Sequence, residues 1–113
     1  MRPLRLSVAA ERDLRIILAA SEEHFGATVA GRYQHLVSAA LRDLRSDAER
    51  IGVQVLDSGV RVYHLRHSRR QLPRRQSVAR PRHVLAFRIV DGGIVLLRVL
   101  HDAMDLPSRL AEL

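Results

Sequence analysis

Residues 87–105 read FRIVDGGIVLLRVLHDAMD. Two runs of apolar and β-branched residues flank Asp91-Gly92-Gly93. A tight reversal between strands needs positive φ, which glycine adopts at little steric cost, so this join marks a β-hairpin. With Asp91-Gly92-Gly93 as a three-residue loop, Val90 pairs with Ile94. Arg88 then falls opposite Leu96 and Arg98 opposite Ala86, which makes the two arginines diagonal neighbours on one face. The other face carries Leu85, Phe87, Ile89, Val95, Leu97 and Val99, an apolar surface that something must cover. A two-residue loop would put the arginines on opposite faces. The continuous apolar face favours the longer loop.

Outward from the hairpin, Val84 to Val90 and Ile94 to His101 are its strands, and Val60 to Leu65 is a third. The cover comes from the N-terminal half. Leu4 and Leu6 alternate within Arg2 to Ser7, a short strand, and Ser7 is placed to cap a helix. From Val8 to about Phe25, the positions Leu14, Ile17, Leu18 and Ser21 recur on one helical face. Gly26 breaks that helix, and a second runs to roughly Glu49 with the stripe Val29, Tyr33, Leu36, Val37, Ala40, Leu41, Leu44. The order strand, helix, helix, strand, strand, strand gives an α+β domain over 1–113. It consists of an N-terminal strand, a helical hairpin and a three-stranded antiparallel meander, with the helices on one sheet face.

The formal charge of +7 is uneven along the chain. Residues 1–57 balance to zero and 91–113 carry −2, whereas 58–90 hold nine arginines and no acid. All nineteen basic residues are arginine. A GC-rich genome explains that usage, but the physics follows regardless: guanidinium groups make bidentate, permanently charged contacts to carboxylate and phosphate. Such a stretch calls for an acidic partner, whether an acidic peptide segment, nucleic acid or a negative protein surface. Within it, residues 67–83 join two strands, with Pro73 and Pro81 among like charges, and read as a mobile basic loop.

Length and composition exclude much else. At 113 residues the chain holds one modest core. It has no cysteine, so disulfides and thiolate zinc sites are excluded and a reducing cytoplasm is the expected location. Apolar runs such as Ile94 to Leu97 are too short to span a bilayer, and the N-terminus lacks a secretory pattern. The six histidines (24, 35, 64, 67, 83, 101) show no HxxxH spacing, so no metal is expected. No phosphate-cradling glycine loop is present and no cofactor is expected.

The ending Arg98-Val99-Leu100-His101 followed by Met104-Asp105 resembles the C-terminus of ParE-like toxins of the RelE/ParE superfamily. RLSVAAERDL at 5–14 and HFGATVAGRY at 24–33 are similar to the superfamily's opening and its helix–Gly–helix join. The resemblance covers nearly the whole chain, except that residues 67–83 are a longer connection than it would lead one to expect. It implies the toxin of a type II toxin–antitoxin system, a growth inhibitor acting on DNA gyrase. The implied partner is a ParD-like antitoxin with an acidic segment, in a hetero-oligomer. The rival reading is a RelE-like ribosome-dependent mRNA endoribonuclease, for which the ribosome and mRNA are the partners.

If the chain is a nuclease, the resemblance places Arg88, Arg98 and His101 in catalysis, the arginines stabilising phosphate charge and His101 moving a proton. Against this, no lysine is available, and Tyr33 and Tyr63 are expected elsewhere. His101 then serves structure by hydrogen bonding. The residues expected to meet the antitoxin or target are Arg61, Arg66, Arg69, Arg70, Arg74, Arg75, Arg80, Arg82, Arg88 and Arg98, with Met104 and Asp105.

Overall fold

The structure, a computed structural model, describes residues 1–113. Strand β1 (Leu4–Leu6) leads through Ser7 into helix α1 (Val8–Phe25), and α2 (Ala27–Ser46) follows. Ser7 caps α1 as expected, its Oγ accepting the Ala10 N–H at 3.0 Å. Gly26 ends one helix and starts the next at φ 90°, a left-handed value that a side chain would strain. The chain continues through β2 (Gln54–Val55), β3 (Arg61–His64), β4 (His83–Val90), β5 (Gly93–His101) and α3 (Leu106–Leu110). The sheet order is β1-β5-β4-β3-β2, with β1 parallel to β5 and the other pairs antiparallel. No helix is long and apolar enough to cross a membrane.

The α+β arrangement is the one expected. Leu36, Val37, Ala40 and Leu44 of α2 pack on Tyr63, Leu85, Phe87, Ile94, Leu96 and Val99 of the sheet. Ala10, Leu14 and Ile17 of α1 complete that layer. Val29, expected in the stripe, is instead exposed.

The hairpin register differs from expectation, for an identifiable reason. Val90 pairs with Gly93, so the loop is Asp91-Gly92 alone, with φ of 51° and 78°. Two successive positive φ values match a type I′ turn, whose twist suits the flanking strands. Arg88 therefore faces Val95 rather than Leu96. Between Phe87↔Leu96 and Ala86↔Arg98 the register slips by one residue, a β-bulge at Leu97. Beyond it the expected pairing returns, with Arg98 opposite Ala86 and His83 opposite His101. The helix-facing residues of β5 are consequently Ile94, Leu96 and Val99, while Leu97 goes to the opposite face.

The bulge lies where β5 loses its neighbour. β1 covers only Ile94 to Leu96, and the exposed backbone groups beyond must find other partners. The start of α1 supplies them. Ser7 N–H donates to the Leu96 carbonyl at 2.9 Å and Ser7 Oγ to the Leu97 carbonyl at 2.8 Å. Asp13 accepts the Val99 N–H at 2.9 Å.

Two elements were not expected from the sequence. β2 adds a two-residue strand at the sheet edge. α3 places Leu106 and Leu110 against Val60, Ala86, Leu97 and Leu100, a second small core on the face away from the helices. The segment expected as a mobile loop is folded in its first half. Residues Leu65–Gln71 and Arg74–Gln76 form 3₁₀ turns, and Leu65 and Ser68 are fully buried. Ser68 is the anchor: its Oγ donates to Asp43 Oδ2 at 2.7 Å and lies 2.7 Å from Tyr63 Oη.

Candidate functional site

Because β4 runs antiparallel to both neighbours, its first residue lies beside the last residues of each. His83 starts β4 opposite His101, and His64 ends β3 opposite Val84. Three histidines far apart in sequence are thereby gathered at one end of the sheet. The rings of His83 and His101 meet edge to face at 5.3 Å. From α2, the Tyr33 hydroxyl is hydrogen-bonded to His83 Nδ1 and accepts the Arg82 N–H at 3.2 Å. Asp102, just past β5, accepts from His64 Nε2 at 2.9 Å and from Arg82 Nε at 3.0 Å.

The electrostatics follow from this packing. Burial, reinforced by the neighbouring His101, lowers the His83 pKa to about 4, so the ring is neutral at pH 7. Burial pushes Tyr33 up to about 12 and keeps its phenol protonated. The hydrogen bond from His64, with Arg82 behind it, holds Asp102 below the usual carboxylate range. The Tyr33 hydroxyl accepts from Arg82 and keeps both a proton and a second lone pair, so the bond to His83 Nδ1 can run in either direction with the His83 tautomer. His101 Nδ1 accepts the Ala103 N–H at 3.0 Å, so its proton sits on Nε2 when the ring is neutral. Chemically, the site holds a half-exposed imidazole, a neutral half-buried one and a phenol in contact, a set suited to short-range proton transfer.

The residues singled out from the sequence are not gathered here as a group. Arg88 donates to the Ser58 carbonyl at 2.9 Å and the Leu113 carbonyl at 3.0 Å. Arg98 grips Asp13 with two bonds of 2.8 and 3.1 Å, and that carboxylate raises its pKa further. The bulge cancels the one-residue shift of the turn, so Arg98 lies opposite Ala86 and shares with Arg88 the sheet face expected for both, but each arginine has partners of its own. His101 alone of the three lies in the cluster.

Arg82 joins the cluster through Asp102, whereas Arg61 bonds the Ala48 carbonyl at 3.2 Å and Glu49 at 3.5 Å. Arg66, Arg69, Arg70 and Arg74 line a concavity of about 810 Å³ on the 3₁₀ turns, and Arg75 and Arg80 are exposed nearby. Met104 is 42% exposed, and Asp105 accepts from Ser108 Oγ at 2.8 Å at the start of α3.

Tyr33, His64, His83 and Asp102 were not foreseen as a site. Tyr33 was expected elsewhere and proves central. The signal for the histidines was present in the hairpin register, which sets position 83 against 101.

The sheet, its covering helical hairpin and the strand order define a toxin fold of the RelE/ParE type. A chain from a chromosomal ParDE toxin–antitoxin system of P. aeruginosa is similar at TM-score 0.67 and 19% identity, over 89% of this chain and 96% of that one. A chain of the E. coli DinJ–YafQ toxin–antitoxin complex is similar at TM-score 0.56 and 12% identity, over 90% and 93%. At such identities the likeness concerns the fold. No curated protein matches in sequence. The family is settled by a family model that matches residues 4–106: the chain belongs to the ParE toxins of the type II toxin–antitoxin system, parDE.

Proposed function

We propose that this toxin inhibits growth by binding DNA gyrase, without cleaving a bond, and that an acidic, ParD-like antitoxin neutralises it. The observation that carries the reading is the engagement of both strand arginines. Arg98 is clamped by Asp13 and Arg88 by two backbone carbonyls, so neither guanidinium is free to meet a transferring phosphate. Gyrase as target rests on membership of the ParE family. An antitoxin partner is supported by the fold neighbours, which come from a toxin–antitoxin system and a toxin–antitoxin complex. Val8, Ile16 and Phe25 of α1 and Val29 of α2 are exposed apolar side chains, suited as contacts for the antitoxin's own apolar anchors. The test is to express the chain alone and measure DNA supercoiling by gyrase beside translation-coupled mRNA cleavage. Lost supercoiling with intact mRNA supports the proposal; intact supercoiling refutes it.

One observation favours the endoribonuclease as a second reading. Tyr33, His83 and His101 stand in one contact chain beside Asp102, a richer acid–base set than His101 alone. Cleavage of ribosome-bound mRNA that disappears in a folded His101→Ala protein would establish it.

A further inference from the structure

We infer that the arginine concavity on residues 65–78 is a sequence-independent docking site for the phosphate backbone of duplex DNA. Its walls are Arg66, Arg69, Arg70 and Arg74, and Leu72 is the one apolar residue among them. All four arginines are exposed, and none forms an ion pair with an acid of this chain. Arg69 Nε is fixed on the Val78 carbonyl at 2.8 Å, which orients its guanidinium while leaving both terminal nitrogens for a ligand. The base of the turn is held by buried Ser68 between Asp43 and Tyr63. Arg66 and Arg69 are three residues apart on a 3₁₀ turn, where such side chains eclipse at roughly 6 Å spacing. The result is a row of charges on a supported backbone.

The character of the walls selects the occupant. A small-molecule pocket is concave and mostly apolar, and encloses its ligand; this one is polar and its arginines are open to solvent. A protein interface needs apolar anchors at its centre, which this surface lacks. A single strand needs aromatic platforms for its bases. The nearest aromatic rings are the buried Tyr63 and the half-buried His67, which lines the concavity with its ring packed on Tyr63 at 5.5 Å; no Phe, Tyr or Trp stands in the lining as a platform for bases. What remains is a surface matched to an unbroken line of phosphates, bound by charge and counterion release. The choice of DNA over RNA rests on the gyrase reading, since gyrase works on duplex DNA.

The experiment measures binding of the full-length protein to a duplex DNA of arbitrary sequence across a salt series. Arms with the matching single strand, duplex RNA and polyglutamate run beside it, in the absence of gyrase. Four phosphate contacts give a plot of log affinity against log salt with a slope of about −3.6. Arg70→Ala with Arg74→Ala reduces that slope by about 2 and weakens binding about tenfold or more. Arg109→Ala, an exposed arginine on α3, leaves affinity within about threefold. Equal losses at Arg109 would mean diffuse net-charge attraction and overturn the site. Tighter binding of single strand, duplex RNA or polyglutamate would overturn the duplex-DNA assignment, as would an unchanged slope in a double variant with native unfolding. None of these failures bears on supercoiling inhibition, which the separate gyrase assay decides.

Discussion

The arginines of the strands and those of the 3₁₀ turns share one acid-free stretch, yet their surroundings differ. Arg61, Arg82 and Arg88, with Arg98 on the next strand, each have an acceptor within the chain: the Ala48 carbonyl and Glu49, Asp102, two backbone carbonyls, and Asp13. The side chains of Arg66, Arg70, Arg74, Arg75 and Arg80 are exposed, and no acid of the chain pairs with them. Register fixes where a strand arginine goes, and a guanidinium so fixed and half-buried must find acceptors. A turn arginine meets no such demand. The contrast separates charge that holds the fold from charge left for a partner.

The largest effect expected lies at Asp13. Replacing Asp13 with Ala strands the half-buried Arg98 guanidinium and leaves the Val99 N–H without its acceptor, three hydrogen bonds lost together. A cost of about 3 kcal/mol follows from leaving a charged donor unpaired. Urea unfolding of Asp13→Ala against the parent measures it. A loss below about 0.5 kcal/mol would erase the distinction between engaged and free arginines.

That contact also shows where the sequence was legible. Periodicity located both long helices, β1 and the three main strands, because each buries one face against the same core. The turn was misjudged because Asp can itself adopt positive φ, which lets Asp91-Gly92 close the hairpin without Gly93. The bulge at Leu97 arises from the short reach of β1 and from Ser7 and Asp13, partners some ninety residues away that no local pattern contains. Helix α3 went unread because five residues, Leu106–Leu110, are too few to set a helical period. The histidine cluster is a product of register and could have been read only from the ends of three strands at once.

Acid should test the engaged region next. His83 is neutral in the folded protein down to about pH 4, whereas an unfolded histidine takes its proton near 6.5. Between those values the unfolded state binds the extra proton, so stability falls as pH falls from 6.5 toward 4. His67, also lowered by burial, adds in the same direction. Asp102, whose pKa is depressed, contributes stability that is present above about 3.8 and lost as pH falls further. His83→Gln should flatten most of the upper slope while costing about 1 kcal/mol for the Tyr33 hydrogen bond. Melting temperature followed from pH 7 to 4 checks this, and a parent protein with no slope there would contradict it.

His101 carries a smaller expectation. If its role is to tie the end of β5 to the following turn through Ala103, His101→Ala costs on the order of 1 kcal/mol. Toxicity should then drop only as far as the folded population does, and antitoxin binding should persist. Growth arrest measured at matched soluble protein levels decides the matter. A stable His101→Ala protein stripped of activity would move the histidine into chemistry.

The smallest effect sharpens the contrast most. Arg70, Arg74 and Arg75 are exposed with no acid in reach, so no contact is lost when they become Ala. Surface changes of this kind fall within about 0.5 kcal/mol, or roughly 3 °C in a domain near this size. The sign should even be favourable at low ionic strength, because the three charges stand among others of the same sign. Salt screens such repulsion over about 8 Å at physiological strength, so the gain should shrink as salt is added. Thermal unfolding of the triple variant at low and high salt tests both parts. A clear destabilisation at either condition would mean that these three arginines hold the turn in place and are not charge left over for a partner.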